Sequence, residues 1–566
     1  MKKGIRALAL GLAATSVFGL ASLTGSAAGS AAVKSAKSPI TVSIWTASTN
    51  TALQTNRMTK MVQKEFGITL KTDMLVGDIQ TKVGTMTAGG IYDDVLYYNE
   101  AFVKANAMEP LDSYLTNKKT YSNLYKQYSP YFTKMRDPNH GMHMYYMIPE
   151  CGNIGTKDTN FVPNGTAFWI QKAVLKWAGY PKVKTPAQYF ALIEKYKKAY
   201  PTINGKKTIG YDILADKNRM YSLINAPEFL QGHPNDGNVI VDKKGSSYKA
   251  RLFLDDSSSK KYFSLLNTEY KKGIVDPEAF TQNYDQYVAK IATGAVLGIN
   301  DQEWSFGNAV TSLQAAKQDW RTYVGLDLTW SGKGGEYLDR TGATINLANG
   351  YGLSKACKNK ARVMEFFNAF DSRKWQDLNQ WGVKNTDYKV NSKGKYYRTA
   401  AQRAAQVDIN LWGYKNALKS FADNAPHLQG TYKDGNGTAA STQQSEWYSA
   451  LSTCDKTVLK AYKADSWEDL YAKPVSQPPY YPCWQITVST GSSANTELQK
   501  VWDLAYQNLP TCVMSSSSSS FASNWTNYVG QIHKTPVSNY LKVEQAGIDY
   551  RMKQWKTFKN PTEIWN

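Results

Sequence analysis

The segment Ile40-Thr-Val-Ser-Ile-Trp45 decides the fold, because a short run of apolar and β-branched residues is typical of a buried strand. The segments that follow predict a helix over Met58–Phe66, a strand over Gly67–Leu70, a helix over Gly77–Ala88 and a strand over Val95–Tyr98. Strands that alternate with helices build a parallel sheet covered by helices. The sequence therefore predicts an α/β protein.

Helical and strand patterns continue along the rest of the chain. The pattern predicts helices over Pro186–Lys198, Ser257–Lys272 and Ala361–Phe370, and strands over Ala295–Ile299 and Tyr323–Leu326. The serine run at 515–520 predicts a low-complexity loop. No fixed-period repeat is present, which argues against a solenoid or a propeller.

The first 26 residues predict a secretory signal peptide. Lys2, Lys3 and Arg6 form its basic start, an apolar run follows over Ala7–Leu20, and small residues lead to Ser26. The apolar run is short for a membrane span. Residues 27–38, rich in alanine, serine, glycine and lysine, predict a flexible spacer. We therefore expect an exported protein.

Composition narrows the possible functions. The chain has 566 residues and a net charge of +21, but its basic residues are scattered rather than gathered in one run, which argues against nucleic-acid binding. Its five cysteines are widely spaced and form neither a disulfide framework nor a zinc motif. The 16 tryptophans and 38 tyrosines supply many rings that could stack on sugars, although large rings also fill cores.

Seven stretches, in order, resemble the extracellular solute-binding proteins of family 1, most closely their long Gram-positive lipoprotein subgroup. The stretches are Thr87–Val95, Asn106–Asp112, Met144–Pro149, Ala167–Leu175 with Lys184–Gln188, Lys272–Glu278, Ile291–Gly298 and Gly350–Lys358. In the first of these, Tyr92 stands where the family usually has a proline. The resemblance runs from about Ile40 to the C-terminus.

The resemblance implies a two-lobed type II periplasmic-binding fold with a hinge and an interlobe ligand cleft. It implies a first lobe over residues 39–160 and about 331–374, and a second over 161–330 and about 375–566. It also implies a monomeric, non-enzymatic receptor with no cofactor, which captures an oligosaccharide and delivers it to the membrane permease subunits of an ABC importer. The positive charge favours an acidic oligosaccharide over a neutral one.

Two departures from the family pattern concern a metal and an anchor. Where longer members carry a calcium loop, the stretch Pro201–Gly210 has no carboxylate, and calcium prefers several hard oxygen ligands, so no metal is expected. Ser26 stands where the lipoproteins of the family carry their lipid-bearing cysteine. A hydroxyl cannot replace that thiol, so no lipid anchor is expected.

Residues just after strands are the candidate ligand contacts, because ligands of α/β proteins bind beyond the carboxyl ends of the strands. The candidates are Trp45, Asn99, Glu100, Trp169, Trp304, Trp330 and Trp412. Trp304 follows the strand at Ala295–Ile299, and the resemblance implies that it stacks on sugar, as in the maltose-binding relatives. For the tryptophans the alternative is core packing, and for Asn99 it is a helix cap.

Two other functions remain open from the residues alone. A secreted glycoside hydrolase would need two carboxylates flanking its substrate, whereas the pairs Asp93-Asp94 and Asp255-Asp256 are sequence neighbours that point in different directions. The motifs of serine hydrolases, zinc proteases and phosphate-binding loops do not occur. A cell-wall-associated adhesin is the other alternative, and the basic charge is compatible with it.

Overall fold

A computed structural model describes residues 38–47, 55–135, 145–152, 159, 161–162, 166–234, 236–334, 345, 347, 349–417, 426–472 and 480–555. The signal peptide, nearly all of the spacer and Ser26 lie outside these residues. The described residues from Pro39 onward form one compact unit.

The strands are β1 (Ile40–Thr46), β2 (Ile68–Met74), β3 (Val95–Tyr97), β4 (Ile148–Pro149), β5 (Cys151–Gly152), β6 (Thr166–Gln171), β7 (Thr202–Ile203), β8 (Lys206–Lys207), β9 (Ile209–Asp212), β10 (Ile240–Lys244), β11 (Ser247–Arg251), β12 (Val296–Gln302), β13 (Tyr323–Leu326), β14 (Gly350–Leu353), β15 (Lys389–Val390), β16 (Tyr396–Tyr397) and β17 (His427–Leu428).

The helices are α1 (Arg57–Phe66), α2 (Ile79–Gly89), α3 (Glu100–Lys104), α4 (Asp112–Leu115), α5 (Ser122–Tyr128), α6 (Phe132–Met135), α7 (Lys172–Trp177), α8 (Pro186–Ala199), α9 (Tyr221–Ile224), α10 (Ala226–Leu230), α11 (Ser257–Lys271), α12 (Tyr284–Ala292), α13 (Glu303–Ala315), α14 (Lys360–Phe370), α15 (Arg373–Gln380), α16 (Ala400–Ala405), α17 (Ile409–Asn416), α18 (Gln444–Ala450), α19 (Thr453–Tyr462), α20 (Ser493–Val513), α21 (Ser518–Lys534) and α22 (Ser538–Trp555).

The first sheet has the strand order β2-β1-β3-β14-β4. Strand β1 pairs in parallel with β2 and β3, as the alternation of strands and helices along the sequence predicts. Strand β14 comes much later in the chain and pairs antiparallel with β3 and β4. Val42 and Ile44 of β1 are buried against α14, where Phe366 and Phe367 complete the core. Each such buried side chain contributes about 1.5–3 kcal/mol relative to an exposed one.

The second sheet has the strand order β13-β6-β12-β9. Strand β12 lies inside it, antiparallel to β6 and parallel to β9, and all of its seven residues are buried. A strand covered on both faces needs this unbroken burial. The elements around the first sheet are called the first lobe below, and those around the second sheet the second lobe.

Packing assigns the middle and the end of the chain to the lobes. Trp375 and Leu428 belong to the core of the first lobe, whereas Trp447 and the C-terminal helices α20 and α21 belong to the core of the second. The lobe boundaries drawn from the sequence stay predictions. This packing favours moving the boundary near residue 374 to a point between Leu428 and Trp447.

The serine run corrects one sequence expectation. The predicted loop at residues 515–520 is wrong from Ser518 onward, because α21 begins there. The Ser517 side chain accepts a hydrogen bond from the Ser520 amide, and the Ser520 side chain in turn accepts one from the Ser517 amide. This reciprocal cap starts the helix. Among the described residues, no helix is long and apolar enough to cross a membrane.

Candidate functional site

Trp304 lies where β12 ends and α13 begins, on the first turn of the helix. Its side chain is 57% exposed, unusually high for a tryptophan. The Tyr221 ring lies beside it, with ring centroids 5.8 Å apart and planes tilted by 45°. The structure therefore places two aromatic rings at the carboxyl end of the second sheet, where ligands of α/β proteins bind.

A buried carboxylate supports this position. Asp301, the penultimate residue of β12, accepts hydrogen bonds from the Ser222 hydroxyl at 2.7 Å and from the Tyr287 hydroxyl at 3.1 Å. Burial raises the pKa of Asp301. Because Ser222 follows Tyr221 on α9, the bond to Asp301 holds the Tyr221 backbone close to the start of α13.

Arg219 and Tyr284 extend the same surface. The Arg219 guanidinium carbon lies 3.9 Å from the centre of the Tyr284 ring, and a guanidinium nitrogen donates to the Tyr221 hydroxyl at 3.2 Å. The Tyr284 hydroxyl donates to the carbonyl of Ser305 at 2.6 Å. We call Trp304, Tyr221, Tyr284 and Arg219 the Trp304 platform. Ring faces can cover the C–H surfaces of a sugar, while a guanidinium and hydroxyls can bond its oxygens.

Trp45 has a different environment at the end of the first sheet. Its ring has no exposed surface and packs edge-on against Tyr97 and Phe102, with centroid distances of 6.2 and 5.4 Å. This burial fits the alternative role of core packing.

Asn99 and Glu100 have structural partners at the end of β3. The Asn99 side chain accepts from the Ala101 amide at 2.9 Å and caps α3. Glu100 accepts from the Ser489 hydroxyl at 2.8 Å and from the Thr490 amide at 3.3 Å. Both residues fit roles other than direct ligand contact.

The partners of Glu100 belong to the other lobe. Lys104 donates to the Thr490 carbonyl at 3.0 Å and pairs with Glu100 at 3.2 Å. Ser489 and Thr490 precede α20, which packs in the second lobe. We call Glu100, Lys104, Ser489 and Thr490 the interlobe bridge.

Trp169 and Trp330 are anchored by their indole nitrogens. The Trp169 nitrogen donates to the Asp301 carbonyl at 2.8 Å, and the ring is buried edge-on against Phe306. The Trp330 nitrogen donates to the Ser258 hydroxyl at 2.8 Å, and the Lys261 ammonium lies 4.0 Å from the centre of the half-buried ring. Both environments fit packing.

Trp412 lines a groove between the two lobes. The groove has a volume of about 890 Å³ and is bounded by Trp412, Gln380 and His427 on one side and by Gln314 and Asp319 of the second lobe on the other. The Trp412 ring itself is largely buried beneath the Arg57 guanidinium, 5.9 Å from its centre.

A smaller cavity adjoins this groove, and no residue of the Trp304 platform lines either of the two cavities. The smaller cavity has a volume of about 340 Å³ and shares Gln380, His427 and Trp447 with the groove. Glu303, the residue before Trp304, lines it, and burial raises the pKa of Glu303. The two cavities therefore bring Trp412 and Glu303 to one interlobe space.

The described residues contain no cluster of three or more His, Cys, Asp or Glu side chains that could hold a metal ion. The stretch Pro201–Gly210, which the sequence analysis found to lack the carboxylates of a calcium loop, contains the hairpin β7–β8. Asn204 and Gly205 make its turn with positive φ angles of 52° and 72°, and asparagine and glycine are the residues that tolerate this conformation.

Comparison at the level of sequence finds a partial match to a known protein. No family model matches the chain. The fructooligosaccharide ABC transporter substrate-binding protein FusA of Streptococcus pneumoniae is 24% identical over 230 residues. That match covers 40% of each chain, less than half the length of this curated relative.

Solved structures are similar over nearly the whole chain. An HMO-binding, ABC-transporter-associated solute-binding protein from Bifidobacterium longum infantis has a TM-score of 0.65 at 14% identity, covering 91% of this chain and 99% of its own. An EF-hand mutant of S. pneumoniae FusA in complex with fructo-nystose has a TM-score of 0.61 at 15% identity, covering 92% and 100%. The fold is that of the two-lobed solute-binding proteins. The type II periplasmic-binding fold predicted from the sequence is thereby confirmed.

The alginate-binding protein AlgQ2, solved without calcium, has the same fold, with a TM-score of 0.60 at 14% identity over 91% of this chain and 98% of its own. The names of these proteins describe binding proteins rather than enzymes, and two of the names assign the protein to an ABC transporter.

Sequence reasoning missed Arg219, Tyr221, Tyr284, Glu303 and His427. Arg219 and Tyr221 follow β9, which has only four residues and follows a hairpin, so no periodic pattern marks its end. A search for aromatic residues within ten positions of each strand end could have found Tyr221.

Proposed function

We propose that this protein is an extracellular receptor that captures an oligosaccharide between its two lobes and delivers it to the permease subunits of an ABC importer. The fold and the names of its relatives support the receptor class. The observation that carries the proposal is the exposed Trp304 ring beside Tyr221 at the carboxyl end of the second sheet.

The chemistry follows from the two faces of the cleft. On the second lobe, the Trp304 platform offers ring surface with a guanidinium beside it. On the first lobe, the strand ends carry oxygen-rich side chains: the Thr46 and Tyr351 hydroxyls lie 2.9 Å apart, and Asn349 donates to Glu150 at 3.1 Å. A sugar has apolar C–H faces and a rim of hydroxyls, so it can be held by both lobes together.

Capture then follows from lobe closure. The open form binds sugar on one lobe, and the second lobe closes by a hinge. Ligand that contacts both lobes shifts the population toward the closed form, which the importer can recognise. The groove of about 890 Å³, which adjoins the smaller cavity at Glu303, leaves room for more than one sugar unit, which favours an oligosaccharide over a monosaccharide.

The remaining sequence predictions complete the proposal. The protein is exported as a monomer, carries no lipid at Ser26, and needs no metal. Among the candidate contacts, we place Trp304 in direct contact with the sugar and Trp412 at the edge of the adjoining groove. The other candidates do not contact the sugar in this proposal, and they stabilise the structure around the site by packing or hydrogen bonding. They are Trp45, Asn99, Glu100, Trp169 and Trp330.

Calorimetric titration tests the proposal. Three groups of oligosaccharides of matched length serve as probes: neutral fructo-oligosaccharides, milk oligosaccharides and acidic alginate oligosaccharides. Each titration is accompanied by an assay for newly released reducing ends. We expect saturable binding of one group without cleavage, and a smaller radius of gyration in X-ray scattering when that group is bound.

Other outcomes would decide against the receptor. Release of reducing ends would identify a glycoside hydrolase. Absence of binding across the three groups, together with adherence to isolated cell walls, would identify an adhesin. Binding without compaction would contradict the closure mechanism while leaving the ligand class intact.

A further inference from the structure

The second lobe carries a concentration of positive charge at the end opposite Trp304. The hairpin β7–β8 precedes β9 and carries Lys206 and Lys207, both exposed. The Asn204 side chain donates to the Thr293 carbonyl at 2.9 Å, just before β12 begins. Since β12 has seven residues and Trp304 follows its other end, about 20 Å separate the hairpin from the platform.

Helix α8 adds lysines next to this hairpin. Residues 195–207 include five lysines and no aspartate or glutamate. Lys195 and Lys198 are exposed on the last turns of α8. The Thr208 hydroxyl, directly after the hairpin, donates to the Tyr200 carbonyl at the end of α8 at 2.6 Å, which brings helix and hairpin together. Burial and the nearby charge of Lys207 lower the pKa of Lys197.

The charge of this region is not neutralised by its neighbours. Within the described part of the chain, Lys195, Lys198, Lys206 and Lys207 form no ion pair. The nearby carboxylates of Glu194 and Glu269 are already paired with Lys272, each at 3.1 Å. The four lysines therefore face solvent with their charge available.

Two large aromatic rings are exposed beside these lysines. Trp177 is 44% exposed and Tyr200 is 42% exposed. Both contact the buried Tyr196 ring, with centroid distances of 5.5 Å for Trp177 and 4.6 Å for Tyr200. Arg321 donates to the Tyr196 hydroxyl at 3.1 Å and adds a further cation. The surface is therefore both basic and aromatic.

We propose that this basic aromatic face, formed by Trp177, Tyr200, Lys195, Lys198, Lys206 and Lys207, docks the protein on an anionic phospholipid bilayer. Lysines near a bilayer are attracted by anionic headgroups. Tryptophan and tyrosine favour the headgroup level, where one part of the ring is apolar and another is wet. A flexible polyanion without sugar rings, such as polyglycerol phosphate, would need only the lysines, so the exposed rings favour the bilayer over it.

Docking by this face leaves the Trp304 platform accessible. The platform and the face lie at opposite ends of the second sheet, so a protein bound to a membrane through the face keeps Trp304 uncovered. The inference does not depend on the identity of the sugar, because none of its residues lines the interlobe cavities described above.

Vesicle flotation with the full-length mature protein tests the proposal. The probes are phosphatidylcholine vesicles with and without phosphatidylglycerol, at low and at high salt. We expect binding to the anionic vesicles only, weakened by salt because exposed charges are screened. The variant K206E/K207E should lower the partition coefficient at least about tenfold, since each lysine near the surface contributes about fivefold.

The matched control is K118E/K119E, which changes the net charge equally on an exposed part of the first lobe. It should leave the partition coefficient within about twofold of the wild type, because charges remote from the surface contribute little. The variant W177A/Y200A should also weaken vesicle binding. Circular dichroism and the melting temperature confirm that each variant is folded.

Three results would overturn the proposal. Equal losses in the two charge-reversed variants would show that net charge alone attracts the protein. Binding to soluble polyglycerol phosphate but not to vesicles, unchanged in W177A/Y200A, would assign the face to a wall polymer. Failure of the wild type to bind any anionic vesicle at low salt would show that the face does not dock on a bilayer.

Discussion

Trp45 and Trp304 both stand where a central strand reaches the carboxyl end of its sheet, yet one ring is fully buried and the other is 57% exposed. Trp45 still belongs to β1, so its side chain points to one face of the sheet, where Phe102 covers it. Trp304 lies one residue beyond the start of α13, past the covered part of the sheet. The same residue type at similar sequence positions therefore has opposite environments.

The difference gives the two strand ends complementary chemistry. The first lobe ends in hydroxyl, amide and carboxylate groups, such as the Tyr97 hydroxyl that donates to Asn349 at 2.5 Å. The second lobe ends in exposed ring surface at Trp304. We infer that one lobe recognises the hydroxyls of a sugar and the other its C–H faces.

The largest expected effect is on the first-lobe ring. Trp45→Ala should lower the free energy of unfolding by about 3–5 kcal/mol, because it opens a large cavity in a packed core. Trp304→Ala should change it by about 0.5 kcal/mol or less, as is usual for exposed side chains. Urea denaturation of both variants measures the contrast. Equal losses would show that the Trp304 ring is also structural.

Binding should show the reverse order. Trp304→Ala should weaken oligosaccharide affinity at least about tenfold, or about 1.4 kcal/mol, because it removes the exposed ring of the platform. Trp304→Phe should retain part of the affinity, since a smaller ring remains. Trp177→Ala is the matched control, an exposed tryptophan at the far end of the same lobe, and should bind sugar normally. Calorimetric titration measures these affinities. An affinity equal to that of the wild type in Trp304→Ala would show that the platform does not contact the sugar.

The sequence predicted what depends on local pattern and missed what depends on folding. The strands and helices from Ile40 to Tyr98 follow from short apolar runs that alternate with helical segments, and Trp304 follows from the end of a later strand. The partnership of Glu100 with Ser489 spans 389 residues, and no local pattern records it. Burial of Trp45 likewise depends on α3 packing over its ring, which a strand pattern does not show.

The interlobe bridge offers a smaller effect that concerns both lobes at once. Glu100→Gln weakens the hydrogen bonds to Ser489 and Thr490 and removes the ion pair to Lys104. At this partly exposed position, these losses together should weaken the interaction between the lobes by about 1 kcal/mol. X-ray scattering of the unliganded protein should then show a larger radius of gyration, because one link between the lobes is weaker.

The matched control for the bridge is Glu109→Gln. Glu109 pairs with Lys360 at 3.7 Å, and both residues belong to the first lobe. This variant removes an ion pair of the same kind without touching the other lobe, so the radius should stay that of the wild type. A similar change in both variants would mean that Glu100 has no special part in lobe closure.

The smallest expected effect is a pH dependence of binding at the cavity next to the platform. Burial raises the pKa of Glu303 above its ordinary value in the free protein, and bound sugar that displaces more water would raise it further. The complex then holds the proton more tightly than the free protein, so affinity is full at acidic pH and falls as the pH rises through these two pKa values. Glu303→Gln stays neutral and should flatten that slope, changing affinity only severalfold.

Glu278→Gln is the control, because Lys290 lowers the pKa of Glu278 on the outside of the same lobe. Titrations over a range of pH decide: a slope that persists in Glu303→Gln would place the titrating group elsewhere and leave the aromatic platform as the whole contribution of the second lobe.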